Sequence, residues 1–278
     1  MKKPEKFFGL FRFLLVSLKS AVLQYGQKEG EAMNYISSFR RYELKYLVTE
    51  KQYRALLPVL SVYMSPDEYF HSEISNVYYD TDNYRLIRRS LEKPVYKEKF
   101  RLRAYSTPES DTQVYLELKK KFESVVYKRR VGMPYSAALR YLAAPCGGSQ
   151  KLSEIARFFE CFPGLSPAMY IYYSRDSYRS ADGLRITFDS NITYRSYDVD
   201  LSKGVYGEPI LDGDMRLLEI KTGGGLPLWL TSVLSAERIY RTSFSKYGRA
   251  YLAQKENKNN EHAAALPGEA KNGGLIYA

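Results

Sequence analysis

The sequence predicts an α+β fold built on a closed antiparallel β-barrel of about eight strands, with helices packed outside it. Three observations carry that prediction. Between residues 33 and 253 the chain breaks into short runs rich in Val, Tyr, Ile and Leu in which apolar and polar residues alternate with a period of two. The polar positions of these runs are charged in strand after strand, so the face opposite the core keeps one chemical character. Helical patterns are fewer than strand patterns, as expected when a sheet is the main element.

In chain order the strands are read at Tyr42 to Val48, Asn76 to Asp80, Tyr96 to Tyr105, Gln113 to Lys121, Val125 to Met133, Met169 to Ser177, Leu184 to Thr193 and Arg216 to Thr222. Thr49 followed by Gln52 is a capping-box start for a helix to about Leu60. Further helices are read at about Asp82 to Leu91, Ser136 to Ala143, Leu152 to Phe159, and from Pro227, well suited to a first turn, to about Gln254. Thr222-Gly223-Gly224-Gly225 follows a strand but reads as a flexible connection into that last helix, not as a phosphate loop. No Walker loop, GxGxxG or fixed-period repeat is present.

The two ends differ from this middle. Residues 1–32 form an N-terminal extension in which Phe7, Leu10, Phe11, Leu14, Leu15, Leu18 and Val22 share one helical face opposite Arg12, Lys19 and Ser20. That is the pattern of a short basic amphipathic helix lying on a membrane surface, and equally of one docked on the protein itself. The apolar run is well short of the ~20 residues that cross a bilayer. Residues 254–278 mix Lys, Asn, Glu, Ala and Gly without periodicity and read as a disordered tail.

Composition excludes some chemistry. The 278 residues include two His, His71 and His262, which argues against a Ser-His-Asp triad or a multi-histidine metal site. Cys146 and Cys161 have no CxxC spacing, and their default reading is as buried small hydrophobes in a reducing compartment. The 42 Lys and Arg against 31 Asp and Glu leave a net charge of +11, which calls for an anionic partner.

The strand faces show where that charge is concentrated. In Lys97-Glu98-Lys99-Phe100-Arg101-Leu102-Arg103 the alternate positions Lys97, Lys99, Arg101 and Arg103 point one way. The pattern recurs as Glu117, Lys119 and Lys121, then as Lys128 with Arg130. Glu-x-Lys dyads stand at Glu43 and Lys45, Glu117 and Lys119, and Glu219 and Lys221, and Arg185, Thr187 and Asp189 make a comparable face. One such strand is an ordinary solvated sheet face. Five of them in a closed barrel gather into a polar, phosphate-binding tunnel. Counting Lys45, Lys99, Arg101, Arg103, Lys119, Lys121, Lys128, Arg130, Arg185, Lys221 and Lys246 as its lining, against Glu43, Asp80, Glu117, Asp189 and Glu219, leaves a surplus of six positive charges. Two like charges 4 Å apart repel by about 4 kcal/mol at an effective dielectric near 20, so an empty tunnel is strained and a chain of phosphates relieves it. The retained carboxylates suit a hard divalent ion, Mg²⁺ or Mn²⁺.

These strands resemble the catalytic, polyphosphate polymerase domain of the vacuolar transporter chaperone (VTC) family, within the CYTH-like triphosphate tunnel metalloenzymes, over about Arg40 to Leu252. The resemblance rests on the order and spacing of Tyr42-Glu43-Leu44-Lys45-Tyr46, Val77-Tyr78-Tyr79-Asp80, Arg101-Leu102-Arg103-Ala104-Tyr105, Tyr115-Leu116-Glu117-Leu118-Lys119, Arg185-Ile186-Thr187-Phe188-Asp189, Leu218-Glu219-Ile220-Lys221 and Phe244-Ser245-Lys246-Tyr247. It implies transfer of the γ-phosphoryl group of ATP onto a growing polyphosphate chain with a divalent metal. It also implies phosphate-binding roles for Lys45, Arg101, Arg103, Lys119, Lys128, Arg185 and Lys246, and a metal-binding role for Glu219. Glu117 and Glu43 are expected to assist at the metal, and Arg130 and Lys221 to extend the phosphate path. The superfamily's first-strand motif is Glu-x-Glu-x-Lys, whereas this chain has Arg41-x-Glu43-x-Lys45, a loss that leans away from triphosphate hydrolysis.

The partners expected are ATP and polyphosphate, with no sequence-specific nucleic acid, a peripheral membrane contact through residues 7–22 and a membrane-protein partner for any export. The location expected is cytoplasmic, at the inner face of the membrane. The alternatives are a triphosphatase of the same superfamily and a non-catalytic polyphosphate- or RNA-binding module. The 27 Tyr make the RNA case thinkable, but the Glu-x-Lys dyads give a nucleic-acid groove nothing.

Overall fold

The computed structural model describes residues 42–265, Ser124 apart, so the amphipathic stretch at 7–22 and residues 266–278 lie outside the described part. In order the elements are β1 (Tyr42–Thr49), α1 (Glu50–Tyr63), β2 (Ser65–Asp80), α2 (Arg85–Leu91), β3 (Tyr96–Ala104), β4 (Gln113–Phe122), β5 (Val125–Pro134), α3 (Tyr135–Ala143) and α4 (Gln150–Cys161). Then follow β6 (Ser166–Arg179), β7 (Arg185–Arg195), a 3₁₀ turn at Leu201–Lys203, β8 (Glu208–Pro209), β9 (Met215–Thr222), α5 (Leu228–Ala236) and α6 (Lys246–Ala265).

The strands form one antiparallel sheet in the order β1-β9-β7-β6-β2-β3-β4-β5, with β8 added to β7. The expected closed barrel is not formed, because β1 and β5 are edges that do not pair. The free edge of β1 is taken by another part of the chain. Thr242 donates its N–H to the Lys45 carbonyl at 2.7 Å, and Tyr46 bridges to Arg241. The connection from α5 to α6 therefore uses the backbone groups that a closing strand would need.

Period-two alternation divides the sheet into two faces. On the outer face Phe100, Leu102, Leu116 and Leu118 pack with residues of α3 and α4, including Ala138, Ile155 and Phe158. Val48, Ile186, Phe188, Leu218 and Ile220 pack with Leu56 and Leu60 of α1 and Leu230 and Leu234 of α5. Each such side chain, fully buried, contributes roughly 1.5–3 kcal/mol. Helix α6 departs from the expectation of helices outside only. Its Tyr247 and Ala250, with Phe244 just before it, pack on Tyr78, Ile171, Tyr173 and Leu217, which alternate with the outer-face residues. An apolar cluster thus fills one part of the concave face, and the charged residues are left the rest.

The capping box forms as expected: Gln52 donates its N–H to the Thr49 hydroxyl at 3.3 Å, and Thr49 donates its own to the Gln52 side chain at 2.9 Å. Several boundaries differ. β2 is 16 residues long, because its exposed first half pairs with β6 across a bulge that the alternation does not show. The helix expected from Pro227 to Gln254 is split in two by residues 237–245, the segment that covers the edge of β1. The tail expected from 254 begins as helix, since α6 continues to Ala265. Cys146 and Cys161 are exposed free thiols, not buried ones, because both lie at or beyond helix ends on the outer layer. Among the described residues no helix is long and apolar enough to cross a membrane.

Candidate functional site

The concave face holds a cavity of about 1200 Å³. Its lining includes all twelve residues singled out from the sequence: Lys45, Arg101, Arg103, Lys119, Arg185, Lys246, Lys128, Arg130, Lys221, Glu219, Glu117 and Glu43. Strand alternation brings them together. Lys99, Arg101 and Arg103 alternate with buried Phe100, Leu102 and Ala104 on β3, and Glu117 and Lys119 alternate with Leu116 and Leu118 on β4. Eleven Lys and Arg face four Glu, a surplus of seven positive charges.

The charges are organised around two buried carboxylate centres. Glu117, 2% exposed, lies 2.6 Å from Arg101, 2.6 Å from Lys128, 3.6 Å from Arg130 and 3.7 Å from Arg103. Burial pushes its carboxyl up, but Arg101, Arg103 and Lys128 outweigh burial and hold it well below the usual range. Tyrosine hydroxyls fix the guanidinium groups: Arg101 donates to Tyr78 at 2.8 Å and Arg103 to Tyr173 at 3.1 Å and to Asn76 at 3.0 Å. The second centre is Glu219 with Asp189. Glu219 is 3.2 Å from Lys45, 3.4 Å from Arg175 and 3.5 Å from Lys246, and Lys246 and Arg175 also pair with Asp189. Burial raises Glu219, and Lys246, Lys45 and Arg175 together overcome it and hold the carboxyl well below its ordinary value.

Among the described residues Lys99 and Lys221 of the lining form no ion pair. Burial, together with Lys97, Lys119, Lys45 and Arg101 around it, pushes the Lys99 ammonium down to about 7. Lys221 is brought down to about 8 by burial, which the neighbouring Glu219 and Glu43 only partly offset. These are the marks of cations held in excess at a low-dielectric site.

Five placements depart from the sequence reading or refine it. Asp80 is not a lining residue. It accepts hydrogen bonds from the N–H groups of Thr81, Leu86 and Ile87 and from the Tyr247 hydroxyl, so it caps the start of α2 and ties α6 to it. Asp189 stays beneath the cavity surface as a counter-ion. Lys121 lies outside the lining, one rung beyond Lys119, whereas Arg175, which the sequence reading missed, lies within it. Its signal was present in the alternation of Tyr173, Arg175 and Ser177. Arg185 lines the rim and is paired with Asp67 at 2.9 Å, in the part of β2 that alternation did not reveal.

The donor set of the cavity fits the divalent metal that the resemblance implies. Glu43 and Glu219 converge, since the Lys45 ammonium lies 3.2 Å from each. Two carboxylates are a fitting protein contribution for Mg²⁺ or Mn²⁺, which take their remaining ligands from water and phosphate. The hydroxyl of Thr187, in register with Glu219, is buried without a hydrogen-bond partner and adds an oxygen to that neighbourhood. Glu117 stands apart from this pair, since the four cations around it pair with no other carboxylate among the described residues. Among the described residues no group of three or more His, Cys, Asp or Glu is placed to hold a metal by itself.

Comparison with known proteins gives one family. The VTC domain model matches residues 40–254. No curated protein matches the chain. Among solved structures, a putative adenylate cyclase from Bacillus halodurans is similar at 15% identity and a TM-score of 0.46, over 73% of this chain and 92% of that one. A putative adenylyl cyclase from Hippeastrum, described as having a dominant triphosphatase activity, is similar at 17% identity and a TM-score of 0.48, over 76% and 95%.

Proposed function

The chain belongs to the VTC domain family, and from that premise we propose that it is a metal-dependent polyphosphate polymerase, moving the γ-phosphoryl group of ATP onto a growing polyphosphate chain. The observation that supports this reading most is the setting of Glu117. One carboxylate held by Arg101, Arg103, Lys128 and Arg130 occupies a seat built for several anionic oxygens. Allowing for Asp189 beneath the cavity and Asp67 beside Arg185, five surplus charges in the surrounding cavity remain for the phosphates of a ligand.

Phosphoryl transfer asks a protein for in-line positioning and charge neutralisation more than for a nucleophile. Here the acceptor is itself a phosphate oxygen. Arg101 and Arg103, fixed by Tyr78 and Tyr173, and Lys119 hold the triphosphate with little reorganisation. Lys128 and Arg130, around the same Glu117 as Arg101 and Arg103, and Lys246, beside Glu219, line the cavity where the incoming chain end would bind. Glu219 and Glu43 would hold Mn²⁺ or Mg²⁺, which neutralises developing charge on phosphate oxygens. Because these carboxylates share Lys45, the metal is expected to bind together with the triphosphate, not before it.

Incubation with ATP and either metal should yield long anionic polymer and ADP. Release of orthophosphate alone would replace the polymerase reading with a triphosphatase one. Binding of ATP or polyphosphate by the unaltered protein without turnover would leave a polyanion-binding module.

A further inference from the structure

The inner face of the β3–β4 hairpin changes character along its length. Its register pairs are Arg103 with Tyr115, Arg101 with Glu117, Lys99 with Lys119, and Lys97 with Lys121. The Arg101 and Glu117 pair neutralises itself. The next two rungs set lysine against lysine, an arrangement that destabilises a sheet. Lys119 is also in register with Lys128 of β5, so three strands contribute to the first of these lysine rows.

The outer rung, Lys97 with Lys121, lies beyond the cavity lining, on the same face and about 7 Å further along the strands. Neither lysine forms an ion pair among the described residues, whereas Lys120, on the opposite face of β4, pairs with Glu98. Lys97 has one long contact, 3.5 Å to the Ser90 carbonyl. Its ammonium is pushed below its ordinary value by burial and by Lys121, Lys119 and Lys93. An ordinary solvated hairpin would stagger these charges or offset them with carboxylates, as the outer face of the same hairpin does.

We propose that Lys97 and Lys121 form an outer subsite for a linear inorganic polyanion. The subsite takes the part of a polyphosphate chain that extends beyond the phosphates held inside the cavity. It rests on the reading of the cavity as a triphosphate site and adds to it the side on which the chain leaves. Recognition is through unpaired ammonium groups spaced along two strands, so it favours length and is indifferent to any base.

The test compares inorganic triphosphate with long-chain polyphosphate by calorimetry on the full chain and on a Lys97→Gln/Lys121→Gln variant. Triphosphate affinity should stay within about twofold, while long-chain affinity falls by about tenfold and loses part of its salt dependence. The empty variant should also melt higher, because two opposed charges are gone. Equal losses for both ligands, or no loss for the long chain, overturn the subsite alone. Failure of the unaltered protein to bind triphosphate overturns the cavity reading and the subsite with it.

Discussion

Lys99 shows what the cavity does to a single side chain. It donates to the Ser245 hydroxyl at 2.9 Å but has no carboxylate partner among the described residues, and it is brought from 10.5 to about 7 by burial and by Lys97, Lys119, Lys45 and Arg101. A lysine depressed in the folded state makes that state bind fewer protons than the unfolded chain between the two values. Its destabilising effect is therefore complete below pH 7 and fades as the pH rises toward 10.5. Lys221, at about 8, acts in the same direction. The empty protein should gain melting temperature from pH 7 to pH 9, and Lys99→Gln should melt higher at pH 7 with a shallower rise. A bound triphosphate restores the charge, so binding takes up a proton and weakens as the pH climbs. In Lys99→Gln the affinity should be about tenfold lower at pH 7, the loss of one charge-assisted contact, and less sensitive to pH. Melting curves and titrations in buffers of different ionisation enthalpy read both effects. An unaltered pH slope in the variant would remove Lys99 from the site.

At the scale of elements, Asp80 links three of them. It ends β2, caps α2 through two backbone N–H groups and accepts the Tyr247 hydroxyl of α6 at 2.9 Å. Asp80→Ala leaves these donors buried and unmatched and should cost about 3 kcal/mol by chemical denaturation. Triphosphate affinity of the folded variant should change by less than about twofold, since Asp80 is outside the lining. A large affinity loss at unchanged stability would return Asp80 to the cavity. The same residue marks what the sequence could tell. Alternation on β3, β4, β7 and β9 correctly placed the inward cations, because both faces of those strands are strongly biased. Where a strand ends, alternation stops being informative, so Asp80 reads as lining although the chain is already turning into α2. Lys121 and Arg175 exchange places in the lining because parity gives a face and not a depth along it. The open sheet was not legible either. Closure depends on which segment reaches the free edge of β1, and residues 241 and 242 reach it only through the packing of α6.

For the whole molecule, the excess charge is a store of instability that the right ligand releases. Without a ligand the fold keeps five surplus positive charges around one cavity, once Asp189 and Asp67 are counted, and relies on Glu117 and Glu219 to hold its cations together. Removing either carboxylate should be costly in the empty state. Glu117→Gln, at a buried site facing four cations, is expected to lose about 3–5 kcal/mol. A ligand that binds only the folded state adds about 2.7 kcal/mol at a hundred times its dissociation constant, or roughly 5–10 °C for a chain of this size. Inorganic triphosphate at that excess should raise the melting temperature of the unaltered protein by this amount. It should raise that of Glu117→Gln by at least as much, because the phosphate supplies the negative charge that the variant lacks. Raising the salt from 0.1 to 1 M shortens the screening length from about 10 to 3 Å, which should stabilise the empty protein while shrinking the triphosphate shift. A structural carboxylate unrelated to an anion seat predicts the opposite for the variant, a loss of stability that triphosphate does not repair.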